Sequence, residues 1–203
     1  MYIDTIEALE AIYMPAPTPA STVKELAHIT SDYAALIAAS PFVVLATAGP
    51  EGLECSPRGD AAGFVRVLDS RTLVMPDRRG NNRVDSLRNI VRDPRVALLF
   101  LIPGSGPTFR VNGRARISAD PDLLASMAVE GKRPRTAIIL NVEAAYLQCA
   151  RAVARSRLWD LSLHPSADDI PTPGKILANL SEGEVGGKLY DEEWPERAAA
   201  TLW

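Results

Sequence analysis

The sequence predicts a mainly β domain: a small antiparallel barrel with helices at its periphery. Three observations carry that expectation. About seven short segments, apolar or alternating, follow one another from Phe42 to Val142 with turn residues between most of them. One of them, Thr108 to Ser118, places Phe109, Val111, Gly113, Ala115 and Ile117 on one face. Its other face carries Thr108, Arg110, Asn112, Arg114, Arg116 and Ser118, so it is polar and basic. Finally, 203 residues with 47% apolar content suffice for one large domain with a full core, but not for two ordinary domains with linkers. Closing such strands into a barrel removes exposed edges.

The elements follow in order. Met1 to Met14 has a weak helical pattern, and Pro15 to Pro19 reads as an extended spacer. Thr22 with Glu25 forms a capping box, so a helix is expected to begin there, and another spans about Asp32 to Ser40. Phe42 to Thr47 is a buried strand, Gly49 to Gly52 a turn, and Leu53 to Arg58 the returning strand. Phe64–Leu68 and Thr72–Met75 make the next pair. Asn81 to Arg92 reads as a helix, with Val84, Leu87 and Val91 on one face and Asp93-Pro94 ending it. Val96 to Ile102 is a strand. After the alternating strand, Asp120-Pro121 caps a helix. Thr136 to Val142 is a strand, and Glu143 opens a helix through about Ala154, placing Cys149 among buried alanines. From His164 onward prolines and glycines break the pattern, as expected of a segment that wraps a surface or a partner. The division is residues 1–40 as a helical extension, 41–160 as the barrel and 161–203 as a tail of the same domain.

Charge is uneven along the chain. Residues 1–57 carry one cation and seven acids, residues 58–116 twelve cations and five acids, and residues 117–203 nine cations and thirteen acids. All twelve central cations are arginine, whose planar fork matches phosphate or carboxylate oxygens. The whole molecule has a net charge of −3, and the only aromatic in the basic strand, Phe109, lies on its apolar face. Both features argue against nucleic acid as a partner. Two cysteines and two isolated histidines offer no disulfide framework, metal cluster or catalytic triad. Tyr33 to Pro50 is uncharged for 18 residues, but Pro41 divides it into a helix and a strand, so no membrane span is expected. With no leader pattern, a cytoplasmic location is the default.

Four constellations could carry chemistry. Met75 to Arg83 leads from a strand through Pro76 and Gly80 to a helix start, with Arg78, Arg79, Asn81, Asn82 and Arg83 around it. That is a pattern for an anion cradle, and equally for an Asn cap with solvated arginines. Ser56-Pro57-Arg58-Gly59-Asp60 holds an unusual backbone path from which Arg58 could reach the same anion; Asp60 pairing Arg58 in a plain turn is the alternative. Thr108 and Arg110 share the polar face of their strand. Arg155 to Asp160 brings Ser156 and Trp159 together; Trp159 could stack on a planar ligand or fill a core position.

Together these pieces resemble the pyridoxamine 5′-phosphate oxidase-like family of FMN-binding split barrels, from about Phe42 to Asp160. The resemblance rests on Ser56–Asp60, Leu73–Arg83 and Phe109–Ala115, and on Cys-x-x-Ala followed by Arg-Ser-x-Leu-Trp at Cys149–Trp159. It implies a six-stranded antiparallel Greek-key split barrel with peripheral helices. It also implies a homodimer with FMN at the subunit interface. In such proteins Arg58, Asn81, Asn82 and Arg83 would hold the phosphate, with Arg78 nearby and Gly59 also at the cofactor. Pro76 and Asp77 would face the flavin ring through their backbone, Thr108 and Arg110 would touch the ring or ribityl chain, and Ser156 and Trp159 would come from near the second subunit. The implied activity is that of an FMN-dependent oxidoreductase acting on a small molecule. A flavin carrier or sensor, or a split barrel using deazaflavin or haem, are the alternatives. The chain's end, Glu193 to Trp203, does not match the Trp- and Arg-bearing segment with which true pyridoxamine phosphate oxidases grip their substrate. Vitamin B6 is therefore not the expected substrate.

Overall fold

The computed structural model describes residues 2–202; Met1 and Trp203, the outer ends of the expected opening helix and of the tail, lie outside them. The opening consists of α1 (Ile6–Ile12), α2 (Pro19–Thr22), a two-residue strand β1 (Glu25–Leu26) and α3 (Ser31–Ala39). The sheet then runs through β2 (Phe42–Gly49), β3 (Gly52–Gly59), β4 (Arg66–Asp69) and β5 (Thr72–Asp77). After α4 (Asp85–Arg92) come β6 (Arg95–Leu101), β7 (Thr108–Ser118), α5 (Pro121–Ser126) and β8 (Thr136–Gln148). The C-terminal part holds α6 (Arg151–Ser156), α7 (Pro173–Leu180), α8 (Gly187–Glu192) and α9 (Trp194–Thr201).

All strand pairs are antiparallel, in the order β3-β2-β6-β7-β8-β5-β4, with β1 added beside β8. The hairpin β2–β3 lies at one end of this order and β4–β5 at the other, so the chain crosses over between them and returns through α4. That is a Greek-key path of six long strands, with β1 and β4 as short additions. Its buried face carries Val43 and Leu45 from β2, Phe100 from β6, Phe109 and Val111 from β7, and Leu140 from β8. The Phe109 ring packs 4.7 Å from that of Tyr33 and 5.9 Å from that of Phe100, so α3 belongs to this core. At a bulge between Asn112 and Gly113, β7 passes so close to β8 that a Cβ at Gly113 would lie 2.0 Å from the Asn141 carbonyl oxygen.

Four local expectations are corrected. Glu143 does not open a helix. β8 continues to Gln148, because Ala137 to Gln148 find partners along β7, and that pairing overrides the helical preference of an alanine-rich stretch. Cys149 is consequently exposed in the turn before α6 rather than buried in a helix. Helix α4 begins at Asp85, four residues later than expected, because Asn82 and Val84 adopt left-handed backbone angles (φ 61° and 54°) that a helix cannot include. Thr22 ends α2 instead of capping a helix; its hydroxyl donates to the Pro19 carbonyl, and Glu25 pairs with β8. The Tyr33–Pro50 stretch divides as expected, and no helix among the described residues is long and apolar enough to cross a membrane.

Candidate functional site

A cleft of about 760 Å³ opens where the ends of β3, β5 and β8 meet the start of α4. Proline shapes two of its walls. Pro57 lies on β3, an edge strand, and Pro76 lies on β5 beyond the last pairing with β4, so neither ring removes a needed ladder bond on that side. The cleft collects eight of the twelve candidate residues: Arg58, Gly59, Pro76, Asp77, Arg78, Asn81, Asn82 and Arg83.

A chain of hydrogen bonds runs beneath it. Arg58 donates through Nη1 to Asp77 Oδ1 (2.7 Å) and through Nη2 to Ser86 Oγ (3.0 Å). Ser86 donates to Glu54 Oε1 (3.0 Å), Thr47 donates to Glu54 Oε2 (2.9 Å), and Asn89 Nδ2 donates to Thr47 Oγ1 (3.1 Å). Side chains from β2, β3, β5 and α4 are thus tied together under the cleft floor. Arg58 Nε is buried and unpartnered, as is Thr136 Oγ1, and both residues line the cleft. A buried donor without a partner is costly, and the fold leaves two such atoms beside the cleft.

The remaining arginines differ in how they are held. Arg78 donates to Asp60 Oδ2 (2.6 Å) and to the Met127 carbonyl (2.8 Å). Asp60 therefore pairs with Arg78, not with Arg58. Arg83 is exposed and donates to Asp85 Oδ2 (2.8 Å); that bond, and then the Asp85 charge, raise the guanidinium pKa. Asn82 accepts from Arg135 (3.1 Å), and Asn81 Oδ1 accepts from the backbone N–H of Arg83 (3.1 Å). The asparagines therefore shape the loop that leads into α4, while the left-handed Val84 occupies its N-cap without a side-chain bond.

Among the cleft residues that escaped the sequence reading are Lys132, Arg133, Arg135 and Thr136. They lie outside the arginine-rich middle segment, but Lys132-Arg133-Pro134-Arg135 is itself a signal, with three cations around a proline just before a strand. Ser86 and Glu54 were also missed, since nothing in the sequence pairs them.

The other four candidates lie elsewhere. Thr108 pairs with Gln148, and Arg110 stacks its guanidinium 4.1 Å from the Tyr146 ring centroid, with its own Nε buried and unpartnered. The Trp159 indole N–H donates to the Ser105 carbonyl (2.7 Å), and Ser156 Oγ donates to the Val153 carbonyl (3.1 Å). Register separates this group from the cleft. Arg58 pairs with Val43, Val43 with Phe100 and Phe100 with Phe109, so these four side chains share the inner face. Arg110, one residue along β7, points to the outer face. Within one chain the sheet itself stands between Arg58 and Arg110. Next to the outer group, the exposed Cys149 thiol is held below its ordinary pKa, first by the backbone N–H of Arg151 and then by the charges of Arg151, Lys24 and Arg155. No group of three or more His, Cys, Asp or Glu that could hold a metal occurs among the described residues.

HupZ from Group A Streptococcus is 17% identical in a structural alignment covering 60% of this chain and 94% of that one, with a TM-score of 0.49. General Stress Protein 26 from Bacillus anthracis is 17% identical over 56% and 88% of the two chains, with a TM-score of 0.43. A protein from Clostridium acetobutylicum, related to general stress protein 26 of Bacillus subtilis, is 15% identical over 57% and 84%, with a TM-score of 0.42. No curated protein matches the sequence significantly. The sequence profile of the family described as pyridoxamine 5′-phosphate oxidase matches residues 29–149, more than half of the chain and all of the long strands. The chain therefore belongs to the pyridoxamine 5′-phosphate oxidase family.

Proposed function

We propose that the protein binds FMN in this cleft and works as an FMN-dependent oxidoreductase on a small molecule. The observation that carries the reading is the meeting of unpartnered buried donors with excess positive charge. Arg58 Nε and Thr136 Oγ1 lack partners, and Arg79, Lys132 and Arg133 line the same cleft. These groups fit a doubly negative phosphate monoester, for which charge-assisted bonds from several donors are the strongest available recognition. The volume lies within the range of ordinary cofactor pockets.

When bound, FMN would supply hydride or electron transfer, and the chain's own residues would position and tune it. Arg58 is held in place from behind by Ser86 and Glu54, so its orientation does not depend on the ligand. Asp77 takes one of its terminal nitrogens and partly offsets its charge, which limits how tightly a lone anion would be held. Pro76, buried and without a backbone N–H, offers a flat apolar wall. Thr108, Arg110, Ser156 and Trp159 cannot reach the same ligand from the same chain, because the sheet intervenes. A second copy, its outer face laid against the cleft, would bring them to it. The outer face suits such contact: Val44, Ala46, Ala97, Leu99 and Leu101 are half-buried apolar residues there, beside the unpartnered Arg110 Nε and Asn112 Oδ1. A homodimer with two shared sites is the assembly this reading calls for.

An absorption spectrum of the purified protein, taken before and after denaturation, tests the reading. Flavin bands with FMN in the released fraction are expected, and reduction of the bound flavin by a nicotinamide donor would separate turnover from mere carriage. A colourless protein that fails to bind added FMN would overturn it.

A further inference from the structure

No described residue of the chain's acidic opening lines the cleft. Helix α1 has no buried residue. Ile6, Leu9, Ile12 and Tyr13 form one stripe along it, and all four are exposed, at 64%, 40%, 63% and 74%. Glu7 lies on its other side, Glu10 at the edge of the stripe beside Ile6, and Asp4 just before the helix, with no cation anywhere in the first 23 residues. An isolated seven-residue helix is marginal in water, so this one requires a surface to rest on.

Topology fixes where that arm leaves the body. The chain from α1 runs through the proline-rich spacer and α2 to β1, and β1 pairs Glu25 with Tyr146. Tyr146 is the residue on which Arg110 stacks. The arm therefore emerges one strand spacing, about 5 Å, from the outer-face group that a second copy would present to the cleft. The thirteen residues from Ile12 to Glu25 reach roughly 35 Å once the turn of α2 is allowed for. At the cleft mouth stand Arg79, Lys132, Arg133 and Arg135, exposed cations that form no ion pair among the described residues. Apolar side chains of Val84 and Leu87 line the same opening.

We propose that α1 of one copy docks across the cleft mouth of the other, its apolar stripe on Val84 and Leu87 and its acids against the 132–135 rim. The occupant of this helix face is thus a second copy of the same chain, and each site is closed by the arm of its neighbour. The inference rests on the two-copy site proposed above. It goes beyond that site in assigning a partner surface to residues outside the barrel.

Cross-linking between two full-length variants tests it. One carries Glu10→Cys and the other Arg135→Cys, both with Cys55→Ser and Cys149→Ser, and they are mixed, allowed to exchange subunits and treated with a short bismaleimide. A cross-linked product containing one chain of each kind is expected. It should be lost when Asp4→Lys and Glu7→Lys are added to the first chain, and reduced in 1 M salt, where charges act over only about 3 Å. If the mixed dimers form and bind FMN but give no product, the arm assignment is overturned and the cofactor reading stands. If product appears only when both cysteines sit on one chain, the arm folds onto its own body and docking in trans is overturned. A monomeric, colourless protein would overturn the two-copy site, and the arm proposal with it.

Discussion

Asp60 and Arg78 form the most enclosed ion pair among the described residues, with side chains 2% and 16% exposed. Burying two charges is costly, and their attraction offsets that cost only while both remain. Arg78 also holds the Met127 carbonyl, so the pair fastens the loop after β3 to the end of α5. Asp60→Asn would keep the shape and remove the charge that Arg78 needs. The variant is expected to lose about 3 kcal/mol of stability, read as a lower urea midpoint with an unchanged slope. Arg58, whose side chain is 19% exposed and whose Nε is buried without a partner, differs in kind. Its two terminal nitrogens are each engaged while its Nε has no partner, which suits the ligand-holding role proposed for it.

At the scale of elements, the junction of α4 with β6 carries the clearest dependence on pH. The Asp93 carboxyl is lowered from its ordinary 3.8 to about 2, first by the Arg95 side chain and then by the Arg95 backbone N–H. A carboxyl depressed by folding adds stability above its unfolded pKa and loses it as pH falls through the folded value. Stability should therefore drop between about pH 4 and pH 2, and Asp93→Asn should flatten that part of an acid-unfolding curve. Much of this architecture is legible in sequence. The alternation from Thr108 to Ser118 identifies β7 along its full length, and Pro41 separates α3 from β2. What is not legible depends on partners far away in the chain. Glu143 and its neighbouring alanines favour a helix locally, and only the facing strand β7 makes them β8. Asn81 and Asn82 look like helix caps, but Val84, a β-branched residue in a left-handed conformation, delays α4 in a way no local preference predicts. The cleft's arginines were visible as a cluster, whereas Lys132–Arg135 joined them only through the pairing of Thr136 with Asp77.

For the whole molecule, the decisive feature is that one sheet carries Arg58 on its inner face and Arg110 on its outer face. In the proposed dimer each chain would hold two half-sites that serve different ligands, and lesions in them would be borne by different clefts. Take one variant with Arg58→Ala and another with Arg110→Ala, each expected to bind FMN poorly as a pure dimer. In a mixed dimer, one cleft combines both lesions and the other combines two intact halves. Mixing and refolding the variants should restore up to one good FMN site per mixed dimer, measured as bound flavin per chain. No recovery from mixed dimers that demonstrably form would mean that both arginines serve a site within a single chain. Two defective copies of the gene would, by the same reasoning, complement each other in one cell.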